Sequence, residues 1–208
     1  MHDELIAPGV IRKLLPWETD LLAAHLLRLD PESRHCRFAA GVSDETIAAY
    51  ADQALGSDAV VHGFLSDGIL RGAAELRFLG SGSAEVAVTV EESWRLTGVG
   101  SALFGRLLLT ARNRGIDDLV MTCLPSNRGM QRLAARFEGK ITYASGESFA
   151  EVKARPATAI SLWREVWTDS SSVAASFIDR QVRLLRKGRG IAEPDVTAAR
   201  RRPASGND

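Results

Sequence analysis

The chain has little of what would tie it to a disulfide framework, a membrane or nucleic acid. Its two cysteines, Cys36 and Cys123, are too few for a disulfide-stapled fold and do not match a zinc spacing. Its longest apolar stretch, around residues 99–111, is interrupted by Arg106 and is too short to span a bilayer. Residues 1–10 lack the basic start and apolar run of a signal peptide. A cytoplasmic protein with no membrane partner is therefore expected.

The chain also carries no formal net charge. Lysine and arginine together number 26, as do aspartate and glutamate, so we expect no general attraction to nucleic acid. Only four of the 26 basic residues are lysines, at positions 13, 140, 153 and 187. A GC-rich genome explains this scarcity. An enzyme that acts on amines and avoids presenting its own is the alternative explanation.

Apolar periodicity divides the 208 residues into one α/β domain and an extension. Residues 8–156 hold the predicted strands and helices of the domain. Residues 157–187 are predicted to form a helical extension. Residues 188–208 have no periodic apolar face, which predicts a disordered tail.

The elements of the domain follow ordinary start and stop signals. Pro16 opens a helix that Pro31 is predicted to end, and Ser43 caps a second helix running to about Leu55. Later helices are predicted over residues 99–113 and 130–137. The predicted strands span residues 10–14, 59–65, 69–79, 84–90, 119–124, 140–145 and 148–153.

The stretch WRLTGVGSAL, residues 94–103, places Gly98 and Gly100 at the start of a predicted helix. Backbone N–H groups at such a helix start bind phosphate, and glycine lets the phosphate approach them. The Ser-Ala that follows Gly100 excludes a P-loop, which needs Lys-Ser or Lys-Thr. A dinucleotide-binding turn would need glycine at Leu103 and an acidic residue where Pro125 stands.

The order of motifs is a strand, Arg-x-x-Gly-x-Gly, a helix, a strand, an asparagine and a helix. This order resembles the GNAT superfamily of acyl-CoA-dependent N-acyltransferases over residues 10–153, most specifically over 84–137. AEVAVTV, GVGSALFGRLLLTARNRGI and LPSNRGMQRLAARF look like the Pat-type protein lysine acetyltransferases of bacteria, and PESRHCRF is similar to their Ser-x-x-x-Arg-Phe segment. The resemblance implies an α/β (α+β) fold, with a central mixed, mostly antiparallel sheet flanked by helices.

The resemblance also implies which residues form the site. Glu85 matches the family's glutamate base, on the strand beside the acyl group, whereas an exposed strand glutamate is the alternative interpretation. Glu75, on the neighbouring strand, is the reserve candidate. The expected coenzyme contacts are the backbone groups of Val88, Thr89 and Val90, the side chain of Asn127, and the pyrophosphate turn of Arg95, Leu96, Thr97, Gly98, Val99, Gly100 and Ser101.

The implied reaction transfers an acetyl group from acetyl-CoA to a primary amine, with a protein lysine as the first choice of acceptor. A small-molecule amine N-acyltransferase and a non-catalytic acyl-CoA-binding module are the alternatives. The family's usual tyrosine acid would fall near Ala134, but no tyrosine lies between Tyr50 and Tyr143. The proton donor is therefore unassigned.

No metal is expected, because the histidines at positions 25, 35 and 62 lack metal-ligand spacing and are taken as structural or surface residues. The apolar side of a predicted helix over residues 172–187 is expected to pack on its own domain or across a dimer. A monomer or a homodimer is therefore expected.

Overall fold

The computed structural model describes residues 9–144 and 147–154, which form one sheet with helices on both faces. The strands are β1 (Val10–Lys13), β2 (Ala59–Ser66), β3 (Ile69–Gly80), β4 (Ser83–Val90), β5 (Asp118–Cys123), β6 (Lys140–Ala144) and β7 (Glu147–Lys153). The helices are α1 (Thr19–Arg28), α2 (Pro31–Phe38), α3 (Asp44–Ala54), α4 (Val99–Asn113) and α5 (Arg128–Arg136), with a 3-10 turn at Glu92–Trp94. The helical extension and the tail predicted over 157–187 and 188–208 lie outside the described residues.

The strands lie in the order β1-β2-β3-β4-β5-β7-β6. Every neighbouring pair is antiparallel except β4 and β5, which are parallel. The predicted mixed, mostly antiparallel sheet flanked by helices is therefore confirmed. The parallel pairing covers only Ser83 with Asp118, Ala84 with Leu119 and Glu85 with Val120. Beyond it β5 pairs with β7 alone, so β4 and β5 part from Val86 onward.

Each face of the sheet has its own apolar core. Side chains of α1 and α3, such as Leu26 and Ile47, pack with Leu70 of β3 on one face. Side chains of α4 and α5, such as Leu107 and Leu133, pack with the other face. Successive residues of a strand point to opposite faces, so Ala84, Val86, Val88 and Val90 of β4 face α4, whereas Glu85, Ala87 and Thr89 face the side of α1 and α3.

The first helix ends before Pro31, as predicted, but Pro31 also begins a second helix that was not predicted. The preceding helix stops at Arg28, and the Asp30 carboxylate then caps α2 by accepting the Ser33 N–H at 3.0 Å. Proline suits the first helical position, where its missing N–H removes no helical hydrogen bond. Apolar periodicity did not reveal α2, because the helix buries no residue fully.

The predicted caps of α3 and α5 are confirmed, whereas the first helix begins at Thr19 and not at the predicted Pro16. The Ser43 hydroxyl accepts the Thr46 N–H at 3.3 Å at the start of α3, and Asn127 caps α5. The hairpin of β2 and β3 turns through Asp67 and Gly68, both with positive φ. Among the described residues, no helix has both the length and the apolar character needed to cross a membrane.

Candidate active site

A cleft of about 950 Å³ lies where β4 and β5 part. Its walls are residues 85–90 of β4, residues 122–124 at the end of β5, the first turns of α4 and α5, and the side of α2 that faces the sheet. The predicted site residues that line it are Glu85, Val88, Thr89, Val90, Arg95, Leu96, Gly98, Gly100, Ser101 and Asn127. The gap in the sheet therefore brings together most residues that sequence reasoning selected.

The start of α4 presents free backbone N–H groups to this cleft. The first helical hydrogen bond runs from the Ala102 N–H to the Gly98 carbonyl at 3.0 Å. The N–H groups of Val99, Gly100 and Ser101 precede that bond and have no acceptor within the helix. Within the described residues, no side chain caps this end. The positive end of the helix dipole and its unpaired N–H groups form a site suited to an anion.

The two glycines of the turn are needed for different reasons. Gly98 has φ 84°, a left-handed conformation that strains other residues. Gly100 is helical, and a Cβ added there would meet only Val90 Cγ2, at an ordinary 3.7 Å. The fold therefore tolerates a side chain at position 100. Space for a ligand accounts for a glycine there better than the packing of the chain does.

Arg95 connects this turn to the neighbouring elements. Its guanidinium donates to the carboxylate of Asp30 and to the Ser33 hydroxyl, while its Nε donates to the Val90 carbonyl at 3.2 Å. The contact positions the first turn of α2 beside the start of α4. Leu96, which follows, has φ 61° and is 93% exposed.

Two residues of the predicted turn do not line the cleft. The Thr97 hydroxyl donates to the Trp94 carbonyl at 2.6 Å. Val99 is fully buried in the core beneath the sheet. Only the backbone N–H of these residues can therefore contribute to an anion site.

Every second residue of β4 directs its backbone N–H and C=O groups into the cleft. The Val90 carbonyl accepts from Arg95 on the open side, whereas the Glu91 N–H donates to the Arg71 carbonyl of β3 at 3.0 Å. Since backbone groups of successive residues point to opposite edges of a strand, the Val88 N–H and C=O point into the opening with those of Val90. Those of Thr89 point to β3.

Asn127 lies at the opposite wall, at the start of α5. Its Oδ1 accepts the Met130 N–H at 3.1 Å. The amide nitrogen has no hydrogen-bond partner among the described residues and remains available to a ligand in the cleft. The predicted double role of Asn127, as helix cap and as ligand contact, is therefore geometrically possible.

Glu85 is half-buried on β4, at the last position before the strands part. Within the described part of the chain its carboxylate has no hydrogen bond or ion pair. Its cross-strand neighbour on β3 is Arg77, whose guanidinium points elsewhere. A carboxylate that lines a cleft without a partner can accept a proton from a bound molecule.

Glu75, in contrast, has hydrogen-bond donors on both carboxylate oxygens. Its Oε1 accepts from Arg77 at 2.7 Å, and its Oε2 accepts from Arg37 at 3.0 Å and from the Tyr50 hydroxyl. The residue is 8% exposed. Burial raises the pKa of Tyr50, and the adjacent Glu75 carboxylate raises it further against the opposing effect of Arg37. Glu75 thus has donors on both carboxylate oxygens, whereas Glu85 has none among the described residues, and Tyr50 is a poor proton donor.

Comparison with known proteins decides the family. A family model described as "Acetyltransferase (GNAT) family" matches residues 17–139, more than half of the chain. The chain belongs to this family. GNAT proteins of this class are N-acetyltransferases, and the protein is accordingly an acyltransferase enzyme. No curated protein sequence matches the chain.

Solved GNAT structures share the fold at low identity. The GNAT domain of PAT from S. lividans superposes with a TM-score of 0.62 at 21% identity, covering 70% of this chain and 90% of that one. PaiA N-acetyltransferase from Thermoplasma acidophilum, solved in complex with coenzyme A, gives 0.55 at 18%, covering 71% and 99%. YncA from Salmonella typhimurium, a putative acetyltransferase solved with acetyl-CoA, gives 0.56 at 16%, covering 74% and 98%.

Behind the cleft, this GNAT domain contains a buried polar cluster that sequence reasoning missed. His25 of α1 is fully buried, with Nε2 2.9 Å from the Thr89 hydroxyl and Nδ1 3.4 Å from Glu91. Burial lowers the pKa of His25 and keeps the ring neutral. Because Nδ1 faces the Glu91 carboxylate, we assign the single ring proton of His25 to Nδ1. Nε2 is then an acceptor, and the Thr89 hydroxyl donates to it. The side chain of Thr89 therefore anchors β4 to α1.

Glu91 is the centre of this cluster. Arg28 Nε and Arg71 Nη1 each donate to the Glu91 carboxylate at 2.9 Å. Burial alone would raise the pKa of Glu91, but hydrogen bonds from His25, Arg71 and Arg28 outweigh burial and lower it to about 2. The folded pKa lies below the unfolded value of 4.5. The stability that Glu91 provides is thus complete above about pH 4.5 and is lost as the pH falls toward 2.

Replacing Glu91 by Gln is expected to lower the free energy of unfolding at pH 7 by about 3 kcal/mol, since it leaves two arginines without their buried partner. The variant should also lose less additional stability than the wild type between about pH 4.5 and 3. Urea unfolding at several pH values measures both effects. Glu92→Gln, at the exposed next residue, is the matched control. Equal stability of the Glu91→Gln variant and the wild type would contradict the role of Glu91.

The two other histidines within the described residues, His35 and His62, do not belong to a cluster of metal ligands. His62 is buried, with Nε2 2.9 Å from the Thr110 hydroxyl, and His35 is exposed on α2. Among the described residues, no group of three or more His, Cys, Asp or Glu side chains could hold a metal ion. The polar side chains that line the cleft are carboxylates, guanidinium groups, hydroxyls, amides and thiols.

Sequence reasoning missed the wall of the cleft formed by α2 and α3. The cleft residues not predicted there include Cys36, Arg37, Phe38, Tyr50 and Gln53. Arg37 and Phe38 belong to the segment PESRHCRF, whose similarity to the Ser-x-x-x-Arg-Phe pattern was the available signal. In the structure the Arg37 guanidinium lies 4.8 Å from the centre of the Tyr50 ring. That segment therefore supplies part of the site.

Proposed function

We propose that this protein transfers the acetyl group of acetyl-CoA to a primary amine, with a lysine side chain of a protein as the acceptor. The observation that carries the proposal is the parting of β4 and β5 beside a helix start with free N–H groups. An extended coenzyme arm can lie along the open edge of β4 while its pyrophosphate lies at the start of α4.

Each predicted contact has a role in this arrangement. The N–H groups of residues 99–101 bind the pyrophosphate, and the amide nitrogen of Asn127 binds the pantetheine arm. The backbone groups of Val88 and Val90 hold the arm along β4 and polarise the carbonyl of the thioester. Acetyl-CoA supplies the acyl group. The N–H and C=O groups of Val88 and the N–H of Val90, which point into the opening, support this assignment, whereas the Val90 carbonyl already accepts from Arg95.

Glu85 acts as the base in this proposal. A lysine amine has a pKa of about 10.4 and is almost wholly protonated at neutral pH, so it must lose a proton before it can attack. The unpartnered carboxylate of Glu85 lies beside the open edge, on the sheet face that carries α2 and α3. The departing thiol has an ordinary pKa of about 8.5, so its thiolate leaves without a strong acid. The absence of a tyrosine at Ala134 is therefore tolerable.

The choice of a protein lysine as acceptor is supported by the structural similarity to the GNAT domain of PAT from S. lividans and by the segment PESRHCRF. The test measures release of coenzyme A thiol from acetyl-CoA with three acceptor sets: lysine-containing peptides, polyamines and free amino acids. Lysine peptides are expected to give the fastest release, with one acetyl group per modified lysine by mass spectrometry. Release with polyamines or amino acids alone would establish the small-amine alternative. Binding of acetyl-CoA without transfer to any set would leave the binding-module alternative.

A further inference from the structure

Arg77 lies between two possible carboxylate partners on the face of the sheet that lines the cleft. On β3 it follows Glu75 by two residues, so both side chains leave the same face. Directly across from Arg77, on β4, is Glu85. Such a cross-strand pair has Cβ atoms about 5 Å apart, and opposite charges in it attract each other.

The guanidinium of Arg77 turns away from Glu85. Its Nη2 donates to Glu75 Oε1 at 2.7 Å, and its Nη1 donates to Asp58 Oδ2 at 3.3 Å. Asp58 immediately precedes β2, on the opposite side of β3 from β4. Asp58 thus lies on the side of β3 that is remote from Glu85, and Glu75 lies along β3 itself, so neither contact directs the guanidinium to Glu85.

Glu75 is itself held firmly. Its second oxygen accepts from Arg37 of α2 and Tyr50 of α3, so the carboxylate has donors on both oxygens. The Glu75 side chain is 10% exposed, whereas that of Asp58 is 61% exposed. A buried, charge-assisted pair is the stronger of the two contacts, so Glu75 determines where Arg77 points.

We propose that Glu75 is a positioning residue, which captures the Arg77 guanidinium and thereby keeps the carboxylate of Glu85 free to accept the proton of the acceptor amine. The inference rests on the proposed function, in which Glu85 is the base. It gives a reason for two carboxylates on adjacent strands of one sheet face: Glu75 is paired with Arg77 so that Glu85 is not. Arg37 and Tyr50 serve by holding Glu75 in place.

Glu75→Gln tests this arrangement. Gln has one acceptor oxygen where Glu75 uses two, so Arg77 competes with Arg37 and Tyr50 for that oxygen. The displaced guanidinium is expected to pair with Glu85, and kcat should fall by about 10-fold with acetyl-CoA affinity nearly unchanged. Calorimetry measures the affinity, and thermal melting verifies the fold.

The double variant Glu75→Gln/Arg77→Gln separates positioning from the other roles of Glu75. Without a guanidinium to occupy Glu85, kcat should recover to within about 3-fold of the wild type. If Glu75 were itself the base, or only supported the fold, the second substitution would bring no recovery. Absence of recovery in a folded double variant overturns the proposal.

Asp58→Asn provides the matched control, because it removes the other carboxylate partner of the same arginine. Since Glu75 still holds the guanidinium, kcat should stay within about 2-fold of the wild type. A loss as large as that of Glu75→Gln would overturn the assignment to Glu75. A Glu85→Gln variant measured alongside distinguishes failure of the proposed base from failure of the positioning role. Its full activity would overturn the proposed base, whereas its inactivity without recovery in the double variant would overturn only the positioning role.

Discussion

A Glu85→Gln variant is expected to turn over about 10²- to 10⁴-fold more slowly than the wild type, with acetyl-CoA affinity nearly intact. The substitution keeps the shape of the side chain and removes the proton acceptor. Glu85 has no partner among the described residues, so its replacement breaks no ion pair or hydrogen bond of the fold. Steady-state rates with a lysine peptide and calorimetry with acetyl-CoA measure the two quantities separately.

The pH dependence makes this test specific to proton removal. The wild-type rate should rise with pH, and the variant should regain part of its loss at alkaline pH, where more of the amine is already neutral. Glu151→Gln is a matched control: Val120 lies opposite both Glu85 and Glu151, so the two acids share one row of the sheet. Glu151 does not line the cleft, and its variant should keep the wild-type rate. Equal losses of affinity and turnover in Glu85→Gln would indicate a structural role instead.

The proposed coenzyme side of the cleft was accessible from the sequence because its signals are local. A turn with Gly98 and Gly100, a helix start directly after it, and an asparagine that caps the next helix are each set by neighbouring residues. The alternation of β4 likewise placed Glu85 and Val88 on opposite faces before the fold was known. The order of the strands was needed only to show that the glycine turn, Asn127 and β4 lie around one cleft.

The wall of the cleft formed by α2, α3 and β3 was not accessible from the sequence, because its residues meet only through tertiary packing. Arg37, Tyr50 and the pair Glu75 and Arg77 come from α2, α3 and β3, and no spacing in the sequence relates these three elements. Helix α2 was itself missed, since it has no buried stripe. The link from Thr89 through His25 to Glu91 also joins residues more than 60 positions apart. Buried polar clusters of this kind follow from the arrangement of elements, which local patterns do not encode.

A Gly100→Glu variant is expected to bind acetyl-CoA about 100-fold more weakly or worse, which corresponds to roughly 2.8 kcal/mol of binding free energy. Its side chain would enter the space beside the free N–H groups of residues 99–101, and its carboxylate would repel the pyrophosphate. The fold should tolerate the change, because a Cβ at this position meets only Val90 Cγ2, at 3.7 Å. A carboxylate in the first turn also favours the helix. Calorimetry with acetyl-CoA measures the loss.

Two further variants decide whether the loss belongs to this turn. Gly100→Ala adds a side chain without a charge, so an intermediate affinity would show that the ligand backbone approaches position 100 closely. Gly105→Glu introduces the same acid in the same helix, at a position where an added Cβ has nothing within 4 Å and which does not line the cleft. Its affinity for acetyl-CoA should match that of the wild type. Gly98 is unsuitable for this comparison, because its φ of 84° would strain any side chain and confuse loss of fold with loss of binding. Wild-type affinity in a folded Gly100→Glu variant would remove the start of α4 from the coenzyme site.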